Sequence, residues 1–182
     1  LREEQLQAAA GTQRAKIVKK TIAFKGNFDD DFRACETLTF RKTAEAEVRV
    51  KAAWDDRNLY VAWNVRDQSP WTNAAPEPAH MYFSGDTVDF QIGTDPKADP
   101  KRGEAVRGDL RLSIGPFQGQ PTAVIFRKVW DEKKPKTFSS GVVKEYVMDH
   151  VAVVEGAQVQ VRKEKDRYVV EAAVPLASLG LT

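Results

Sequence analysis

At 182 residues, with 42% hydrophobic and 30% charged residues, the chain suits one soluble globular domain able to bury a real core. A formal charge of +2 with no basic run gives no electrostatic reason to expect a nucleic-acid partner. No apolar stretch approaches the ~20 residues a membrane span needs, and the single Cys35 excludes an internal disulfide.

Arg2 to Ala10, rich in Gln, Glu and Ala, predicts a short helix ended by Gly11, within a lead-in arm over 1–15. The chain opens on Leu1 without a signal-type apolar segment, so the expectation is a processed or excised piece of a longer protein. Lys16 to Phe24 alternates loosely and predicts an edge strand guarded by lysines. Gly26 to Phe32 is a turn whose aspartates suit a single capped helical turn, and Thr37 to Phe40 is a short strand.

Glu47 to Arg66 then predicts the central hairpin. Val48, Val50, Ala52 and Trp54 share one face of the first arm; Leu59, Val61, Trp63 and Val65 share one face of the second. Trp54 and Trp63 are therefore expected in the core. Asp55 to Asn58 supplies the turn, since Asp and Asn side chains bond nearby backbone. Pro70 ends the arm and leaves Trp71 on a loop that runs on to Ser84.

Thr87 to Gly93, Asp109 to Gly115 and Thr122 to Arg127 are further strands, with Val88, Phe90, Ile92, Leu110, Leu112 and Ile114 as their apolar set. Asp95 to Gly108 reads as a solvated loop and Val129 to Tyr146 as the least structured stretch. His150 to Glu155, Gln158 to Glu164 and Tyr168 to Val174 complete the strands, and Pro175 to Leu181 closes the chain as a short apolar turn. Roughly ten short strands with almost no helix predict an all-β antiparallel sandwich, jelly-roll-like, over 16–182.

Five segments, in this order, resemble the family 9 carbohydrate-binding modules and their DOMON-like relatives: Phe28 to Phe32, the Trp54 to Ala62 hairpin, Val65 to Trp71, Gly85 to Phe90, and Tyr168 to Leu181. The resemblance spans about residues 16 to 181. It implies a β-sandwich that is a non-catalytic part of a larger exported bacterial enzyme, extracellular or periplasmic, binding polysaccharide between tryptophans and carrying structural calcium. The chain departs from that pattern near its C-terminus, where the last aromatic is Tyr168 and no second clamp tryptophan follows.

Carbohydrate binding needs a flat apolar face and rows of planar polar groups. Trp71 on its loop is the leading stacking candidate, with Trp130 as a second wall; either indole equally suits a lid over the sandwich edge. With the apolar set turned inward, Asn64, Asp89, Gln91, Arg111 and Ser113 are expected to share the opposite face and meet sugar hydroxyls. Arg111 and Asp89 equally suit a cross-strand ion pair. Oxygen ligands for calcium are available at Asp29 to Asp31, Asp67, Asp86, Asp95 and Asp99, without EF-hand spacing.

Two other classes remain open. One is a structural or protein-contact sandwich without a sugar site. The other is a haem-binding redox domain, because His80, Met81, Met148 and His150 allow a cross pair such as Met81 with His150. Catalytic readings find no nucleophile motif, no zinc motif and no phosphate loop; paired acids exist, Asp89 with Glu171 for instance, but strands place such residues on surfaces routinely.

Overall fold

The computed structural model describes residues 13, 15–43, 46–139 and 145–181. The helix expected over Arg2 to Ala10 lies outside them. Among the described residues twelve strands form: β1 (Val18–Lys19), β2 (Leu38–Arg41), β3 (Glu47–Trp54), β4 (Asn58–Arg66), β5 (Val88–Gly93), β6 (Asp109–Phe117), β7 (Gln120–Arg127), β8 (Lys136–Phe138), β9 (Tyr146–Met148), β10 (His150–Val153), β11 (Gln158–Lys163) and β12 (Arg167–Pro175). A six-stranded sheet runs β1-β3-β4-β12-β11, with β2 also on β3; a four-stranded sheet runs β10-β7-β6-β5; β8 and β9 form a separate ribbon. All pairings are antiparallel except β1 with β3. The fold is an all-β sandwich, as the alternation predicts.

The hairpin β3–β4 pairs Val50 with Trp63, and β12 sets Val170 on the other side of Trp63. Its turn closes as expected: Asp55 Oδ1 accepts from the backbone N–H groups of Arg57 and Asn58, both at 2.9 Å. Asp55 Oδ2 accepts from the Tyr60 hydroxyl at 2.6 Å and from Thr21 Oγ1 at 2.8 Å. The Tyr60 bond, seconded by the backbone donors, holds the Asp55 carboxyl far below the ordinary range.

Between the two sheets lies the main core, where Val61, Trp63, Leu112, Ile114, Val170 and Val174 meet. Trp54 is the exception to the expected set. It ends its strand, 37% exposed, with the Lys19 ammonium 5.0 Å from its ring.

Both outer faces are also covered, which period-two alternation does not foresee. On the large sheet, Ile22, Phe28, Phe32 and Cys35 pack against Ala53, Tyr60, Ala62, Val169 and Ala173. This covering strap contains a single helical turn, α1 (Phe28–Asp31), capped by Asn27, whose side chain accepts from the Asp30 N–H. Charged strand residues under the strap are buried with it. Lys51 reaches Asp29 Oδ1 at 3.1 Å, with the Phe28 ring 4.7 Å from its ammonium. Glu171 Oε2 accepts from the Gly26 N–H at 3.0 Å. Burial alone would raise the Asp29 carboxyl, but its bonds from Arg49 and Lys51 lower it on balance.

On the small sheet, the loop from Thr72 to Ser84 contains a 3-10 helix, Pro78–Phe83, not foreseen from sequence. Together with the β8–β9 ribbon, whose first strand lies inside the stretch expected to be irregular and whose second begins at its end, it buries Met81, Val124, Phe126 and Phe138. The closing apolar turn is a second short helix, α2 (Leu176–Leu179), ended by Gly180 in the left-handed region at φ 74°.

Gly85 joins the loop to β5 through a bridge to Asn73. At its φ of +153° a Cβ would fall 2.7 Å from the Asn73 Cα, and closer still to the Thr72 carbonyl oxygen. Gly85→Ala is therefore expected to cost about 1–3 kcal/mol, measurable as a lowered denaturation midpoint with an unchanged denaturant slope.

Candidate functional site

The expected polar row divides between the two sheets. Asp89 and Gln91 on β5 and Arg111 on β6 do share the outer face of the small sheet, since Val88, Leu110 and Leu112 next to them point into the core. Arg111 Nε and Nη2 donate to Asp89 Oδ1 and Oδ2 at 3.0 and 2.7 Å, the bidentate fork of a cross-strand ion pair. The other side of the guanidinium lies 4.8 Å from the Tyr82 ring. Asn64 does not join them. It sits between Trp63 and Val65 on β4, so its side chain faces the strap side of the large sheet, where it is buried. Ser113 shares the Arg111 face but is fully buried, its hydroxyl without a hydrogen-bond partner.

Beside Arg111 the covering layer leaves an open groove of about 440 Å³. Phe126 and Met148 form its apolar floor, and Gln91, Arg102, Arg111 and Lys128 bring polar groups to it. Arg102 comes from the loop read as solvated, where its Nε donates to Asp109 Oδ2 at 3.0 Å and a second, shorter contact joins Nη2 to Oδ1. That bond pulls the Asp109 carboxyl below its usual value. Lys128 pairs with Glu104 at 2.9 Å. Sequence reasoning missed Arg102 and Lys128. No pattern distinguishes either from any other surface cation.

The tryptophans go elsewhere. Trp71 is half-buried against the main core, its ring 4.6 Å from Tyr168, and its Nε1 is buried without a partner. This is the packing of an edge lid, and Trp71 does not line the groove. Trp130 lines a separate hollow at the end of the sandwich. A stacking pair of Trp71 and Trp130 is therefore not assembled at the groove.

The haem cross pair is not assembled either. Met81 packs outside the small sheet with Phe126 and Val151, while His150, next to Val151 on β10, turns to the opposite side beside Trp130. Asp89 and Glu171 likewise occupy outer faces on opposite sides of the sandwich. The turn aspartates are each engaged: Asp29 with Arg49 and Lys51, Asp30 with Asn27, and Asp31 with the N–H groups of Lys25 and Asn27. Asp67, Asp86, Asp95 and Asp99 accept from the backbone N–H groups of Ser69, Thr72, Lys97 and Lys101. Among the described residues no three acidic, His or Cys side chains converge as a metal site.

The architecture as a whole is similar in fold to solved family 9 carbohydrate-binding modules. A family 9 module from Caldicellulosiruptor kristjanssonii, solved in complex with cellotriose, matches 87% of this chain at 18% identity and a TM-score of 0.54. The same family's module from that organism in complex with glucose matches 88% of this chain and 68% of its own, at 17% identity and a TM-score of 0.48. The chain spans 65% of the length of the cellotriose-bound structure. No protein-family model matches the chain, and no curated protein does. The fold is thus like that of the cellotriose-bound family 9 module.

Proposed function

We propose that the protein is a non-catalytic carbohydrate-binding module that holds a glycan in the groove on the outer face of its small sheet. The observation that carries this reading is the open groove beside Arg111, which brings Gln91, Arg102, Arg111 and Lys128 together over an apolar floor. Amide and guanidinium groups offer hydroxyls several donors at fixed spacing, and the methylene and ring carbons of Met148 and Phe126 suit the C–H face of a sugar. The likeness in fold to a cellotriose-bound module supports the ligand class. A polysaccharide partner outside the cell, extracellular or periplasmic, goes with it, as does a larger exported parent protein.

Calorimetric titration with a panel of soluble oligosaccharides tests the proposal. At least one is expected to bind in the micromolar to millimolar range, and the double change Gln91→Ala, Arg111→Ala is expected to weaken it by at least ten-fold, the loss of one to two hydrogen-bonding groups. No heat of binding from any glycan at millimolar concentration would sink the reading. A structural sandwich without a sugar site is the second reading. It is favoured by Trp71, which packs on Tyr168 as a lid.

A further inference from the structure

Arg127, the last residue of β7, is buried at the end of the sandwich and has no carboxylate partner among the described residues. Its Nη2 donates to the Ser178 carbonyl oxygen of α2 at 2.6 Å, and its guanidinium lies 4.3 Å from the Trp130 ring. A neutral carbonyl and an indole face balance a buried cation only in part, whereas Arg102 and Arg111 each hold a full carboxylate. The guanidinium also faces a hollow of about 280 Å³, walled by Trp130, Arg107, Thr94 and Gly108. Arg107 stands on the rim, tied among the described residues to Asp131 in an exposed pair that solvent screens. The one carboxylate in the lining, Asp95, is engaged by the Lys97 N–H.

We propose that this hollow is an oxyanion-binding site, distinct from the groove, in which the free edge of Arg127 and the rim Arg107 grip a carboxylate, sulfate or phosphate group on a small ligand. A guanidinium fork matches the paired oxygens of such groups, and its attraction is strongest where water is excluded. His150, opposite Arg127 in register, supplies no second charge: burial, then the neighbouring Arg127 charge, pushes its imidazole below the ordinary value.

The test is a titration of the folded protein with sodium glucuronate, sodium sulfate and glucose at ionic strength fixed with NaCl, read by the thermal midpoint and by indole fluorescence. A response to glucuronate or sulfate that saturates in the millimolar range is expected. Response to both marks a general oxyanion site, and response to glucuronate alone an acidic-sugar site. Arg127→Lys, which keeps the charge and loses the fork, is expected to weaken the response at least ten-fold. Arg107→Ala is expected to weaken it about five-fold without moving the midpoint of the unliganded protein, and it decides the matter if Arg127→Lys does not fold. No saturable response beyond NaCl, or one untouched by both changes, overturns the site. A glucose response sensitive to Arg111→Ala and not to Arg127→Lys belongs to the groove, so the two sites fail separately.

Discussion

Glu171→Gln is expected to raise the melting temperature by about 5–10 °C at pH 8 and to leave it nearly unchanged at pH 4.5. Glu171 is fully buried in the middle of β12, with Oε2 bonded to Gly26 and Oε1 without a partner. Burial, and after it the negative Asp31 nearby, outweighs the Gly26 N–H and pushes its carboxyl from an ordinary 4.5 up to about 7. In the folded state the group therefore keeps its proton over a range where the unfolded chain has released it. Its contribution is present below the unfolded value of 4.5 and is lost as pH rises to about 7. That range corresponds to something on the order of 3 kcal/mol. Glutamine keeps an acceptor for Gly26 and never ionises, so it removes the loss. Asp109 and Asp149, lowered by bonds from Arg102 and from the Trp130 N–H, act with the opposite sign. Their stabilisation is present above the unfolded value of 3.8 and fades as pH falls below it. The native protein is thus expected to be most stable near pH 5, and thermal melts of both proteins from pH 3 to 9 check the pattern. Identical melting profiles for the two would contradict the assignment.

The second large effect is expected at Trp63. It is 2% exposed between Val50 and Val170, edge-on to Phe90 at 6.3 Å between ring centroids. Trp63→Ala removes the largest side chain from the main core and is expected to cost about 3–5 kcal/mol, or on the order of 10 °C in melting temperature. Trp54→Ala, in the same hairpin, is expected to cost under about 1 kcal/mol, the scale of an exposed cation–π contact with Lys19. Denaturant unfolding of the two variants, side by side, checks both numbers.

That contrast shows how far alternation reads. Parity along β3 and β4 places Val50, Val61, Trp63 and Val65 between the sheets and puts Asp89, Gln91 and Arg111 together on the far side of the small sheet. Parity cannot tell a mid-strand position from a strand end, so Trp54 shares a pattern with Trp63 and a surroundings with Lys19. Nor can it tell a solvated face from a covered one. The strap on the large sheet and the ribbon on the small one leave no mark on the alternation of the strands they cover. Asn64 and Glu171 carry no local sign of being sealed beneath them. Trp71 was legible as a loop residue after Pro70, but its docking on Tyr168 depends on a strand near the other end of the chain. The groove was half legible for the same reason: Gln91 and Arg111 follow from strand pairing, while Arg102 arrives on a loop anchored by Asp109.

Each cation that borders the groove already has a counter-ion: Arg111 has Asp89, Arg102 has Asp109 and Lys128 has Glu104. The local field nearly cancels, so the surface presents oriented dipoles with little net potential to draw in or repel a ligand. Recognition there would depend on the directions of individual donors and acceptors and would change little between dilute buffer and sea-water salt.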